Sequence, residues 1–89
     1  MDWLDEYAEA LSHPGGPELR VDQEERRVVL RLARQVAHRT ERVMAPLSTF
    51  VAGMFVADRV REGMDRKEAA RELLRVAEGM LPPEPRPGS

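Results

Sequence analysis

The chain has 89 residues, of which 34% are charged and 4% aromatic, and its formal net charge is -2. This length excludes a multidomain enzyme, because chains this short rarely hold two cores. The chain has no cysteine and only two histidines, which excludes disulfides, thiol nucleophiles and metal sites rich in cysteine or histidine. Charge is unevenly placed: residues 1–19 carry five acids and no Lys or Arg, residues 20–42 carry seven Arg against four acids, and residues 43–57 carry no charge.

The first predicted helix follows Asp2, which forms an acidic capping box with Asp5 three residues later. Apolar residues then recur at helical spacing, namely Trp3, Leu4, Tyr7, Ala8 and Leu11. Residues 13–17 end the helix with two prolines and two glycines. Because acids interrupt the apolar residues and no basic stretch precedes them, the pattern is not that of a signal peptide, and we expect a cytoplasmic location.

The second predicted helix starts at Asp22, with Glu25 completing its capping box. Its buried side is expected to comprise Val28, Val29, Leu32, Ala33, Val36, Ala37, Thr40, Val43 and Met44. The opposite side carries what we call the arginine stripe, formed by Arg27, Arg31, Arg34, His38 and Arg42. Guanidinium groups at this spacing can bind phosphate or carboxylate, so the stripe is a candidate ligand site. The alternative is a solvated face that is partly neutralised by Glu24, Glu41 or the acidic first helix.

The third predicted helix runs from about Pro46, at or near its first position, to Glu62. One face is bulky and apolar, with Leu47, Phe50, Val51, Met54 and Phe55, and the other is mostly small. We expect this helix at the centre of the domain, with Gly53 allowing the close approach of another backbone. Its uncharged stretch of 15 residues is shorter than the about 20 needed to cross a bilayer.

The fourth predicted helix begins after Gly63, with Asp65 and Glu68 in another capping-box pattern. Its buried side is expected to comprise Ala69, Ala70, Leu73, Leu74, Val76, Ala77, Met80 and Leu81. Prolines then dominate the chain to its last residue. The sequence therefore predicts an all-α fold, a small four-helix domain over residues 1–81 with a central apolar third helix, followed by a disordered Pro-rich tail over residues 82–89.

Catalytic signatures are lacking: the chain has no G-x-S-x-G, no phosphate-binding glycine loop and no H-E-x-x-H, and we expect Ser48 and Thr49 to bond backbone carbonyls. We therefore predict no catalytic residue, no metal site and no cofactor. Core packing is the expected role of the four aromatic residues, and contact with a second copy is the rival interpretation for Trp3 and Tyr7. The candidate interface residues are accordingly Trp3, Tyr7, Phe50 and Phe55.

Two motifs carry a family resemblance: residues 32–38, with the sequence LARQVAH, and residues 45–53, with the sequence APLSTFVAG. With Asp2-Trp3-Leu4 at the start, they resemble a small actinobacterial-type helical domain of unknown function, which occurs alone or fused C-terminal to a molybdenum cofactor guanylyltransferase. The similarity covers roughly residues 1–81. It departs from the family pattern at Arg39-Thr40 and at Arg42-Val43-Met44. The resemblance implies a link to molybdopterin nucleotide metabolism and no particular activity.

These observations favour a non-enzymatic accessory or protein-interaction domain, expected to form a homo-oligomer, with a dimer favoured, and to serve a molybdenum cofactor biosynthesis enzyme. The alternative is a small-molecule binder that holds a phosphate-bearing ligand on the arginine stripe. A helical DNA-binding module is a weaker alternative, because the chain is net acidic and has one Lys, and no aromatic residues lie among the arginines. No membrane partner is expected.

Overall fold

The structure is a computed structural model that describes residues 2–84. This part of the chain folds into four helices and no strand, which confirms the predicted small all-α fold. The helices are α1 (Trp3–Leu11), α2 (Gln23–Arg39), α3 (Met44–Arg61) and α4 (Arg66–Met80).

The predicted starts of three helices are confirmed. Asp2 and Asp22 each accept a hydrogen bond from the backbone N–H three residues later, and Asp5 and Glu25 complete the two capping boxes. Asp65 caps α4 by accepting from the N–H groups of Lys67 and Glu68, but the Glu68 side chain does not complete the predicted capping box. Each cap supplies an acceptor to a helix end that otherwise leaves its first N–H groups without partners.

Gly63 ends α3 as predicted, with a φ of 104°. Its N–H donates to the carbonyl of Val60, and the next N–H, from Met64, donates to the carbonyl of Arg59. These two bonds form a Schellman motif, which requires a left-handed residue at this position and therefore favours glycine.

The boundary between α2 and α3 differs from the prediction. α2 ends at Arg39 and does not continue to Met44, and Pro46 is the third residue of α3 and not the first. Proline is accepted throughout a first helical turn, because the N–H groups there have no partner within the helix. Ser48 and Thr49 donate to the carbonyls of Ala45 and Pro46, as expected for hydroxyls near a helix start.

Helices α2, α3 and α4 pack together as a three-helix bundle, whereas α1 lies close to none of their backbones. The centre of the bundle is formed by Leu32, Val36 and Ala52, with Leu73 and Leu74 packed against them. Leu32, on α2, is the largest fully buried side chain. The core therefore draws on part of the apolar sides predicted for α2 and α4. Six residues that were predicted to be buried are exposed instead, namely Val29, Thr40, Val43, Met44, Val76 and Met80.

The structure does not confirm a central third helix. Ala52 is its only buried residue within the described chain, and most of its bulky face is exposed. In a three-helix bundle each helix buries one stripe of its side chains. A helix that is apolar all round therefore exposes its other apolar side chains to water. The expected role of Gly53 is also wrong, because a Cβ there would meet nothing within 4 Å.

A nearly buried ion pair holds the segment between α1 and α2 against α4. Arg66 donates to both carboxylate oxygens of Glu25, with 2.7 Å between Nη2 and Oε1, and also to the backbone carbonyls of Glu18 and Arg20. The Arg66 guanidinium, as the main hydrogen-bond donor, keeps the pKa of Glu25 below its ordinary value. One side chain thus anchors a long connection that lacks regular structure.

α1 is attached to the bundle chiefly by charge. Arg26 of α2 pairs with Asp2 and Asp5, at Nη2–Oδ1 distances of 3.1 and 3.4 Å. The hydrogen bonds from Arg26 hold the pKa of Asp2 well below its usual range. Ala8 is the one buried residue of this helix. The acidic start of the chain is therefore neutralised in part by an arginine outside the arginine stripe.

The predicted tail lies largely beyond the described residues, since residues 85–89 are outside them. Residues 82–84 follow α4 without helical structure. Glu84 lies near α2, with 3.3 Å between its Oε1 and Nε2 of His38. Within residues 2–84, no helix combines the length and apolarity that crossing a membrane requires.

Candidate functional site

An apolar groove of about 570 Å³ opens between the end of α2, the first half of α3 and the end of α4. Its lining includes Leu47, Val51 and Phe55 of α3 and Val76 and Met80 of α4. Leu32 and Val36 belong to both the groove lining and the bundle core. The groove is thus the open side of the bundle core.

The polar residues of the groove lining are not free to orient a ligand. They are Thr40 and Ser48, and each hydroxyl already donates to a backbone carbonyl, at 2.7 Å for Thr40 to Val36 and 2.9 Å for Ser48 to Ala45. A pocket for a metabolite normally adds a few convergent polar groups to an apolar wall. This groove offers apolar contact without such groups, which suits the side chains of another protein segment.

At the edge of the groove, α3 exposes a continuous apolar row that we call the α3 ridge, formed by Leu47, Phe50, Val51 and Met54, of which Leu47 and Val51 also line the groove. These residues follow the i, i+3, i+4, i+7 spacing of one helix face. Each is more than half exposed, and Phe50 reaches 70%. No charged residue occurs between Val43 and Ala57. A row of this kind on a small domain is typical of a protein-interaction surface.

α1 presents a second exposed apolar surface. The rings of Trp3 and Tyr7 stack with 4.9 Å between centroids, and Trp3 is 69% exposed. Leu11, one turn further along the same face, is also exposed. The core interpretation of Trp3, Tyr7 and Phe50 is therefore wrong, because all three face solvent. Phe55 is half-buried and lines the groove, with the Arg59 guanidinium 5.4 Å from its ring centroid.

The structure brings part of the arginine stripe together in a second concavity, which we call the basic cleft. It has a volume of about 610 Å³ and is lined by Arg31, Arg34, Gln35, His38, Arg39 and Glu84. Arg27 and Arg42, the two ends of the stripe, are exposed and lie outside this lining. Three of the five predicted ligand-binding residues therefore share one site.

Acids from the end of the chain, and not α1, face the basic cleft. Arg31 pairs with Glu78 of α4 at 2.7 Å, and Glu84 approaches His38. Gln35 donates to Glu78 at 2.8 Å, and this bond, with the nearby Arg31, lowers the pKa of the Glu78 carboxyl. The stripe is partly neutralised, as one interpretation expected, although different acids do this.

Sequence reasoning did not find the groove, Glu78 or Glu84. The groove depends on how α2, α3 and α4 pack against one another, which no local pattern specifies. The sequence does contain one signal for the groove, which is the helical spacing of the α3 ridge within the uncharged stretch. By itself this spacing does not distinguish an exposed apolar face from a buried one. Residues 2–84 hold no group of three or more His, Asp or Glu side chains placed to bind a metal ion.

A family model described as Domain of unknown function (DUF6457) matches residues 1–85, and the chain belongs to this family. The match covers both motifs that carried the resemblance and reaches from α1 to the segment after α4. No curated protein and no solved structure matches the chain.

Proposed function

We propose that this member of the family is a non-enzymatic interaction domain that self-associates, as a dimer, through the apolar groove and the α3 ridge. The observation that carries the proposal is the uncharged, exposed row Leu47, Phe50, Val51 and Met54 beside a groove without free polar groups. Burying each such side chain contributes on the order of 1.5–3 kcal/mol.

A second copy is the partner because the surface is neutral along its length. Residues 43–57 carry no charge, so two copies of the ridge can face each other across a two-fold axis without repulsion between like charges. An oppositely charged partner would find no complement there. Two copies of this surface can therefore pack against each other.

The size of the exposed surface leaves room for a dimer interface. The accessible area is 6885 Å², whereas a compact monomer of this length is expected to expose about 5,300 Å². The irregular connection over residues 12–22 contributes to this excess. The excess is nevertheless larger than the roughly 800 Å² that each partner buries in a standard interface.

Sedimentation equilibrium at micromolar concentration tests the dimer. We expect the wild type to sediment as a dimer and Leu47→Glu to shift it to the monomer, because the ridge would then carry two buried charges per dimer. Leu30→Glu is the matched control, since Leu30 is exposed on α2 and lies outside the groove. A wild type that is strictly monomeric contradicts the proposal.

The wider role that we propose is as an accessory to a molybdenum cofactor biosynthesis enzyme in the cytoplasm. Its support is the resemblance carried by residues 32–38 and 45–53. A pull-down from native extract with the tagged wild type, and with the tag alone as control, tests it. Recovery of cofactor-biosynthesis enzymes by the tagged protein alone supports the role, and their absence counts against it.

The basic cleft favours one further candidate function, the binding of a phosphate-bearing small molecule. Arg34 and Arg39 line the cleft and form no ion pair within residues 2–84, so their guanidinium groups are available to an anion. A phosphorylated pterin or nucleotide should then raise the melting temperature, and Arg34→Ala should remove the effect. If every such ligand leaves the melting temperature unchanged, this candidate fails.

DNA binding is the weaker alternative. A titration with duplex DNA at low salt that shows no binding would refute it.

A further inference from the structure

We propose that α1 of a second copy occupies the apolar groove, so that the dimer forms by the exchange of α1 arms. This inference rests on the proposed self-association and specifies the segment that fills the groove. It joins two surfaces that the structure leaves uncovered in one molecule: the aromatic face of α1 and the open side of the bundle core.

α1 has the features of a docking helix. It lies close to no backbone of the other three helices, and Trp3, Tyr7 and Leu11 are exposed on one face at i, i+4, i+8 spacing. These three anchors span about 12 Å along the helix axis. A short amphipathic helix that presents anchors in this way is a common ligand for an apolar groove.

The groove suits such a helix chemically. Its walls are apolar and its two hydroxyl groups are already bonded, so it would accept two rings and a leucine without leaving a polar group unpaired. The helix N-cap of α1 is satisfied internally by the Asp2–Asp5 capping box, so its polar end needs no partner from the groove.

Charge does not oppose this docking. The acids of α1 are mostly paired within their own molecule, by Arg26 and Arg20. The positions next to the groove lining carry as many bases as acids, namely Arg31, Arg39 and Arg75 against Glu41, Glu72 and Glu78. The apolar faces of α1 and of the groove therefore decide this association.

The groove of the same molecule is not the destination of α1. Arg26, in the first turn of α2, holds the start of α1, whereas the groove lies at the other end of α2, near Thr40. The helix between these ends is 17 residues long, which is about 25 Å. Because Arg66 fixes the intervening loop through the carbonyls of Glu18 and Arg20, α1 stays at its own end of the bundle.

Trp3 provides the experiment, because it is the single tryptophan of the chain. As protein concentration rises through the dimerisation range, its emission should shift to shorter wavelength and acrylamide should quench it less. Val76→Glu, in the groove, should prevent both changes, and Leu30→Glu should not. Tyr7→Ser with Leu11→Ser keeps the reporter and should weaken dimerisation at least about tenfold.

A mixing experiment separates arm exchange from an indirect effect on folding. One chain carries Val76→Glu and keeps a normal α1; the other carries Trp3→Phe, Tyr7→Ser and Leu11→Ser and keeps a normal groove. Neither should bind itself through an arm, but mixing them should shift the emission of Trp3. If mixing leaves Trp3 exposed, or if the wild-type dimer forms with Trp3 fully quenchable, the inference is overturned while the proposed dimer stands. A wild type that stays monomeric in sedimentation rejects the proposed function itself.

Discussion

At the scale of single residues, Glu25 and Arg66 connect three separate segments of the described chain: the start of α2, the start of α4 and the loop after α1. Glu25 is 7% exposed, caps α2 and accepts from Arg66, which in turn holds two loop carbonyls. Sequence patterns predicted Glu25 as a capping residue. They could not predict its second partner, because Arg66 is 41 residues away and the pairing depends on how α4 packs beside α2.

We predict that Glu25→Gln lowers the free energy of unfolding by about 2 kcal/mol at pH 7, since a charged hydrogen-bond acceptor is lost at a buried site. The folded pKa of Glu25 is lowered, so its contribution is complete above the unfolded pKa of about 4.3 and is lost as the pH falls through the folded pKa. Urea unfolding should therefore show a large difference in the free energy of unfolding between wild type and Glu25→Gln at pH 7, and a small one at pH 3. A difference that is equal at both pH values would contradict this account.

Glu24→Gln is the control for that measurement. Glu24 pairs with Arg71 at 2.8 Å, and both side chains are partly exposed. A pair of this kind contributes less than about 0.5 kcal/mol. The same change at the two neighbouring positions thus compares a buried carboxylate that also completes a capping box with a solvated one.

Replacing either of two glycines by alanine should change the stability of the protein in opposite directions. We predict that Gly53→Ala stabilises the monomer by about 1 kcal/mol, because the position is helical and a Cβ meets no neighbour. Gly63→Ala should destabilise by at least about 1 kcal/mol, because its φ is 104°. Thermal unfolding in dilute solution measures both changes in stability. A lower melting temperature for Gly53→Ala would contradict the prediction, because it would mean that the added methyl group meets a neighbour.

At the scale of helices, the sequence predicts ends better than faces. The caps at Asp2, Asp22 and Asp65 and the stop at Gly63 are local, and all were confirmed. Which face of α3 is buried depends on neighbouring helices, and here the prediction failed. An apolar face indicates that something covers it, but it does not say whether the cover belongs to the same molecule.

α1 should be the least protected helix in hydrogen exchange. A helix of nine residues is unstable in water by itself, and α1 gains little from packing. We predict that its amides exchange faster than those of α2 and that Arg26→Ala speeds them several-fold further, because the contacts to Asp2 and Asp5 are lost. Arg27→Ala is the control, since Arg27 has no ion pair within residues 2–84. Equal protection of α1 and α2 would contradict the prediction.

At the scale of the whole molecule, the order of charges along the chain takes on a spatial meaning. The acidic start meets Arg26 and Arg20, the arginine stripe meets Glu78 and Glu84, and the uncharged stretch forms the open side of the bundle. The acidic start and the arginine stripe are thus each partly neutralised by other residues of the chain, and not by each other. The uncharged part has no such counterpart in one molecule, which is why association is the property most worth measuring.

Phe50→Ser tests whether that open side is covered in solution. In a monomer the change should alter stability by less than about 0.5 kcal/mol, because Phe50 is 70% exposed. In a dimer, stability rises with protein concentration, and losing a central aromatic contact should remove that rise. We therefore predict a melting temperature that increases with concentration for the wild type and for Leu30→Ser, and a constant one for Phe50→Ser. A wild-type melting temperature independent of concentration would mean that the ridge faces water.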